Sequence, residues 1–322
     1  MDNSTPVLEV KNLVKHFPVS GKKDLTVKAV DGVSFKIPRG KTMGLVGESG
    51  CGKSTVARTV IKIYNPTSGQ VFLDGDEIGG KSVRDMKPYR KKMQMIFQDP
   101  YSSLNGRMTV RDIIAEPLIA NGIGKSTAER NEMVEDALAQ VGLGKEHANR
   151  YPHEFSGGQR QRIGIARVLI IKPQLVICDE PISALDVSIQ AQVVNMLSTF
   201  QSQLGLTYLF IAHDLSMVRY VSDRVGVMYL GKIVEECDSE EIYTNSLHPY
   251  TKALLAAVPA SNPRLAREKT ATALMGEVPS PINPPPGCTF HKRCPNCMDK
   301  CKTQAPIYKD AGGGHFVACH LY

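Results

Sequence analysis

Four short stretches of this sequence have the residue types and spacing to do chemistry. The first is Gly47-Glu48-Ser49-Gly50-Cys51-Gly52-Lys53-Ser54-Thr55, which fits G-x-x-x-x-G-K-[ST] with Ser54 closing the pattern. Glycines let the chain turn tightly and bring backbone N–H groups against phosphate oxygens. Lys53 would reach the β- and γ-phosphates of a nucleoside triphosphate, and the Ser54 hydroxyl would sit on Mg²⁺. The second is Leu175-Val176-Ile177-Cys178-Asp179-Glu180, an apolar run ending in two carboxylates. Beside a phosphate loop, Asp179 would hold Mg²⁺ through its water shell, and Glu180 would orient and deprotonate the water that attacks the γ-phosphorus. The third, Ser156-Gly157-Gly158-Gln159, reads either as a second phosphate-binding helix end or as an ordinary capped helix. The fourth is a tail between Cys288 and Cys319 that holds five of the eight cysteines.

The flanking sequence supplies elements to position these residues. Thr42–Val46 suits a buried strand and Val56–Ile63 a helix, so the glycine loop lies between strand and helix, where a helix dipole adds partial positive charge. Leu8-Glu9-Val10 and Val27–Ile37 alternate as half-buried antiparallel strands, with Lys15-His16-Phe17-Pro18 and a polar loop Ser20-Gly21-Lys22-Lys23 between them. Asp31-Gly32, Pro38-Arg39-Gly40 and Asn65–Gly69 read as turns. Gln70–Leu73, Met93–Phe97, Leu175–Cys178, Thr207–Ala212 and Arg224–Tyr229 read as further strands. Thr127–Val141, Gln159–Ile171, about Ser188–Leu204 and His248–Val258 read as helices, with Gly142 as a C-cap. Alternating β and α signals around a phosphate loop predict an α/β domain with a largely parallel core sheet and a helical insertion. Beyond Cys237 the pattern frays into proline-bearing connections, Pro259–Arg264 and Pro279–Pro286.

Length and composition narrow the class. At 322 residues, 42% hydrophobic and 22% charged, the chain suits one large globular domain with an appendage. Apolar runs such as Val168–Ile171 stop well short of a bilayer span, and Met1-Asp2-Asn3-Ser4 lacks the features of a signal peptide, so a cytosolic chain is expected. The net charge of +7 comes without basic clusters interleaved with aromatics, and no nucleic-acid partner is expected. In a reducing cytosol the tail cysteines favour metal over disulfides. Cys294-x₂-Cys297 has zinc spacing, with His291, His315 and His320 nearby, while an iron–sulfur cluster would need four of the five thiolates.

Taken in order, Gln98, Ser156-Gly157-Gly158-Gln159, Asp179-Glu180, Ser183-Ala184-Leu185-Asp186 and His213 make the chain from residue 7 to about 235 resemble the nucleotide-binding subunits of ATP-binding cassette (ABC) transporters. The resemblance implies an ABC-type nucleotide-binding domain over 1–237, with a RecA-like core, an antiparallel β subdomain and a helical subdomain at about 99–170. It also implies head-to-tail pairing of two cassettes around ATP. On that likeness Gln98 contacts Mg²⁺ and the attacking water, His213 binds the γ-phosphate, and Phe17 stacks on adenine. Ser156, Gly157, Gly158, Gln159 and Asp186 serve the opposite site. A closer likeness, carried by Gln98-Asp99-Pro100-Tyr101-Ser102-Ser103-Leu104-Asn105, His248-Pro249-Tyr250-Thr251 and the cysteine tail, is to the dipeptide and oligopeptide permease branch, F-subunit-like. Gly106 departs from that branch's common proline, and a looser turn is expected there.

That branch implies an ATPase driving peptide import from the cytoplasmic face of the membrane. Its partners would be a sister ATPase, two transmembrane permease subunits and an extracytoplasmic binding protein. Nickel or other metal import shares these motifs, and a soluble non-transport cassette ATPase is the more distant alternative. The extension at 238–322 would carry a [4Fe–4S] cluster on Cys288, Cys294, Cys301 and Cys319, with Cys297 spare and Zn²⁺ as the alternative.

Overall fold

The structure is a computed structural model, and it describes residues 5–257 and 276–322. The N-terminal four residues and the connection Pro259–Arg264 named above lie outside the described residues, as does Val258.

In chain order the elements begin with β1 (Leu8–Val19), β2 (Lys22–Ile37), β3 (Thr42–Val46), α1 (Lys53–Val60), β4 (Ser68–Leu73) and β5 (Asp76–Glu77). There follow α2 (Lys87–Lys92), β6 (Met93–Ile96), α3 (Val110–Ala120), α4 (Thr127–Gln140), α5 (Gly157–Leu169), β7 (Leu175–Asp179), α6 (Val187–Leu204) and β8 (Thr207–Ala212). The last set is α7 (Leu215–Val221), β9 (Arg224–Tyr229), β10 (Lys232–Asp238), α8 (Ser239–Thr244), α9 (Pro249–Ala257), β11 (Lys309–Asp310) and β12 (Phe316–Val317). Among the described residues no helix is long and apolar enough to cross a membrane.

These elements form two compact units. One comprises residues 81–209 with two short segments, 1–7 and 38–41. Here β6 and β7 pair in parallel, Met93 opposite Leu175 and Ile96 opposite Cys178. All five residues of β7 are buried, as expected of a strand covered on both faces. Helices α3, α4 and α5 pack on one another, and Ile113, Leu118, Val134, Leu138 and Ile163 on them are essentially buried. Side chains cap each helix start: Thr109 accepts from the N–H of Asp112, Ser126 from Glu129 and Ser156 from Gln159. Gly142 follows α4 at φ 73°, the left-handed stop expected of it.

The other unit comprises 8–37, 42–80 and 210–322, and so contains the phosphate loop and the cysteine tail together. Its antiparallel sheet runs β2-β1-β4-β5. Separately, β3 pairs in parallel with β9, Met43 opposite Arg224 and Val46 opposite Val227, and β9 continues antiparallel to β10. β10 in turn pairs with β12 of the tail, Glu235 opposite Val317.

Several local expectations are corrected. Lys15–Pro18 is not a break but the second half of β1, and the polar loop is shorter than read because β2 already begins at Lys22. Asp31-Gly32 is not a turn. The register steps from Leu13↔Val33 to Val14↔Asp31, so Gly32, at φ 85°, is the extra residue of a β-bulge that bends a long strand.

Candidate functional site

The phosphate loop is built so that only glycine fits at two of its positions. Gly47 has φ 154° and Gly52 φ 112°. A Cβ added to Gly47 would lie 2.1 Å from the Met228 carbonyl oxygen, and one on Gly52 would lie 2.1 Å from that of Ala29. Contacts this short with backbone atoms cannot be relieved by a side-chain rotation. Gly52 is the N-cap of α1, so the loop N–H groups open onto a helix N-terminus. Lys53 is 3% exposed, and its ammonium donates to the Gly47 carbonyl at 2.7 Å and the Glu48 carbonyl at 3.0 Å. The loop therefore holds its cation at the mouth of the anion cradle. Cys51 is buried at its centre, and burial raises the thiol pKa, against the pull of Lys53.

Glu48, an unspecified position in the motif, is tied to the tail. The Arg293 guanidinium donates to both its carboxylate oxygens, Nη1 to Oε2 at 2.6 Å and Nη2 to Oε1 at 2.9 Å. The Glu48 N–H donates to the Tyr250 hydroxyl at 2.9 Å. Tyr250 packs with Tyr229 and Phe290, ring centroids 4.7 and 5.3 Å away. Two other expected residues lie in this unit. Half-buried Phe17 meets Tyr64 edge-on at 5.2 Å and carries the Lys15 ammonium 4.7 Å from its ring centre, and His213 is exposed immediately after β8.

In the other unit Asp179 is completely buried at the end of β7. Glu180 follows at φ 46°, a left-handed conformation rare for a residue with a Cβ. Its Oε2 accepts from the Gln98 side-chain amide at 2.9 Å, so two expected site residues, distant in sequence, are in direct contact. Ser156 and Gln159 form a reciprocal capping box: Ser156 Oγ accepts from the Gln159 N–H at 3.4 Å, and Gln159 Oε1 accepts from the Ser156 N–H at 3.1 Å. The Cβ position of Gly158 lies 2.7 Å from Ile189 Cγ2, so its glycine lets α5 approach α6 closely. Exposed Asp186 is the N-cap of that same α6, which brings the serine–glycine–glycine turn and Asp186 to neighbouring helix starts.

In the tail, Cys288, Cys294, Cys301 and Cys319 line one small cavity with Phe290, His291 and His320. The Cys288 N–H donates to the Cys301 carbonyl at 2.8 Å. Burial is the main cause of the raised thiol pKa values of Cys288 (to about 11), Cys294 and Cys319, with neighbouring cysteines adding to it. Cys297 directs its sulfur to the Met298 carbonyl at 3.6 Å instead. His315, one of the histidines noted near this cluster, is corrected to a different place, 2.8 Å from Glu235 on β10.

Comparison with known proteins agrees with this geometry. The family model described as ABC transporter matches residues 30–183, and the one described as Oligopeptide/dipeptide transporter, C-terminal region, matches 234–301. The chain is 55% identical to the oligopeptide transport ATP-binding protein AppF of Bacillus subtilis (strain 168), over 99% of this chain and 98% of that one. It is 50% identical to the oligopeptide transport ATP-binding protein OppF of Haemophilus influenzae, over 99% and 98%. The chain belongs to the ABC transporter family, among its oligopeptide transport ATP-binding proteins. Among solved structures of the family, the ATP-binding cassette MJ0796, as a dimer bound to ADP and Pi, superposes with a TM-score of 0.66 at 26% identity over 72% of this chain and 98% of that one. CbiO1 from Clostridium perfringens gives 0.67 at 26% over 82% and 98%. The ABC fold carries the expected α/β architecture with its antiparallel β sheet and helical segment.

Sequence reading missed Arg293 as a site residue. Its partner Glu48 lies 245 positions away, and no local pattern announces such a pair. Gly106 has no atom within 4 Å of its Cβ position, and the adjoining turn is held by Asn105, whose side chain accepts from the Arg107 N–H at 3.1 Å. The turn needs neither glycine nor proline at that position.

Proposed function

We propose that this chain binds ATP and Mg²⁺ and hydrolyses the nucleotide to energise import of dipeptides or oligopeptides. The observation that carries the reading is the near full-length likeness to oligopeptide transport ATP-binding proteins, extending through the tail as well as the cassette. The metal-import reading shares the motifs but has no comparable support. Being an importer ATPase without a membrane-crossing helix among the described residues, the chain works with separate permease subunits and a binding protein. We place it at the cytoplasmic face of the membrane, paired with a sister ATPase rather than with itself. We keep 1–237 as the nucleotide-binding domain, 99–170 as its helical subdomain and 238–322 as the permease-type extension.

In this reading Gly47, Glu48, Ser49, Gly50, Cys51, Gly52 and Thr55 wrap the phosphates, Lys53 turns from the Gly47 and Glu48 carbonyls to the γ-phosphate, and Phe17 stacks on adenine. Ser54, Asp179 and Gln98 would hold Mg²⁺, which would supply charge neutralisation on the phosphates. Glu180 takes the proton of the attacking water, with Gln98 orienting it, and His213 steadies the γ-phosphate. Ser156, Gly157, Gly158, Gln159 and Asp186 complete the sister's site. The tail fits an iron–sulfur centre by its donor set: four thiols line one cavity that Cys297 does not line. Cys288, Cys294, Cys301 and Cys319 would hold a [4Fe–4S] cluster as a structural cross-link. Zinc in a tetrahedral all-thiolate site would draw the sulfurs to about 3.8 Å apart. Among the described residues, the donors gathered within 4.8 Å are not these cysteines but another group.

The test is Glu180→Gln in the assembled transporter. ATP binding should persist while turnover falls by ~10²–10⁴, the usual worth of a positioned general base. Turnover near the parent rate would move the base elsewhere.

A further inference from the structure

The tail meets β10 through a buried polar cluster that ATP hydrolysis does not use. Glu235 and Cys237, two apart on β10, share one face of the strand, and both are 0% exposed. The antiparallel register with β12 pairs Glu235 with Val317 and Glu236 with Phe316; continued by one step, it sets Cys237 opposite His315. His315 is 2% exposed, and α8, which starts one residue after β10, brings Glu241 to the same place.

The hydrogen bonds around Glu235 orient the imidazole. Its carboxylate accepts from the N–H groups of Leu247 at 2.5 Å and His248 at 3.0 Å, and from His315 Nε2 at 2.8 Å. An acceptor held by three donors favours the Nε2–H form of His315, which leaves the Nδ1 lone pair pointing the other way. Glu241 Oε2 lies on that side, 3.8 Å from Nδ1. One ligand atom from each of Cys237, Glu241 and His315 lies within 4.8 Å of the others. Three electron-pair donors are thus gathered in one place, and the Glu235 carboxylate holds Nε2 of the imidazole. This is how metal-binding histidines are oriented. Zinc bonds of ~2.0–2.3 Å would place neighbouring donors ~3.3–3.8 Å apart, so closure on an ion asks for a movement of about 1 Å.

We propose that Cys237, Glu241 and His315 bind one divalent transition-metal ion, zinc by the mixed thiolate, imidazole and carboxylate set, at the seam between β10 and the tail. Glu241 is 40% exposed and supplies the entry side, where water completes the coordination. None of the three lines the cysteine cavity, so the site stands independently of the iron–sulfur reading. The ion would fasten the hairpin of β11 and β12 to the strand whose opposite neighbour, β9, pairs with β3.

The experiment uses the full chain purified anaerobically, with zinc and iron measured by mass spectrometry and the zinc shell read by X-ray absorption. Expected is one zinc per chain, with a shell of one sulfur and the rest nitrogen or oxygen. Cys237→Ala and Glu241→Gln should each weaken zinc binding by at least about tenfold, with iron content unchanged. Glu241 is half-exposed, so unaltered circular dichroism of Glu241→Gln would separate loss of the site from loss of the fold. Parent protein that holds no zinc at micromolar concentration, a shell of four sulfurs, or undiminished affinity in either variant would overturn the proposal.

Discussion

Glu180 combines an unfavourable backbone with the side chain proposed as the general base. A left-handed φ costs an L-residue ~1–2 kcal/mol, and at 46° Glu180 carries that cost while its carbonyl accepts from the Ser183 N–H at 3.3 Å and hydroxyl at 3.1 Å. The turn thus fixes where the carboxylate points, which is what a general base needs. Stability and activity should therefore separate here. Glu180→Gly relieves the strain that Glu180→Ala retains, and the two lose the same carboxylate. The glycine variant should be the more stable of the pair by about 0.5–1 kcal/mol, with hydrolysis lost in both. Paired thermal melts decide it, and an alanine variant that melts higher would show that the backbone is not strained. Sequence reading singled out Glu180, Lys53 and the loop glycines because each belongs to a local pattern with one chemical purpose. The φ of Glu180 was invisible, since nothing in a glutamate announces a left-handed turn.

At the scale of elements, the tail reaches the phosphate loop. The 3₁₀ turn His291–Arg293 lies between Cys288 and Cys294 and aims a guanidinium with a 4% exposed side chain at Glu48. Removing one partner of a buried pair strands the other charge, at ~3–5 kcal/mol when both are dry. Glu48 is 24% exposed, so the cost here is smaller. Arg293→Ala should loosen the loop and weaken ATP binding severalfold, whereas Lys292→Ala, beside it, should not; equal affinity in both would make the pair a packing detail. With the proposed cluster in place, the same geometry would link colour to nucleotide. Anaerobic protein should be brown, Cys319→Ser should bleach and Cys297→Ser should not, and bleaching should weaken ATP binding as Arg293→Ala does. Loss of colour in Cys297→Ser would overturn the ligand set.

Elements were legible where one face is apolar and obscured where polar groups are buried. β9 reads cleanly over Arg224–Tyr229, but β10 was not read as a strand, because Glu235 and Glu236 occupy buried positions, one bonded to Leu247, His248 and His315, the other to Arg224 and Tyr308. α3 was hidden by Pro117, which sits inside the helix and reads as a stop. The bulge at Gly32 passed for a turn because a lone glycine serves both.

For the whole molecule, the question is how many copies of this chain make a working transporter. The exposed start of α5 bears a complete capping box, so Ser156 and Gln159 satisfy each other within the chain and need no partner to hold their shape. A surface that is preorganised yet exposed, on a chain that also carries its own phosphate loop, can serve another cassette without rearranging. If that cassette is a sister ATPase, the two sites are distinguishable by mutation. Ser156→Arg in this chain would place charge and bulk at the sister's nucleotide, while Glu180→Gln would disable only the site on this chain's own loop. With a sister present, the assembled complex should contain one copy of this chain by native mass spectrometry. Ser156→Arg should then spare nucleotide trapping on this chain's loop and abolish it on the sister's. Two copies per complex, or loss of trapping on this chain's own loop in Ser156→Arg, would mean that the chain completes itself as a homodimer.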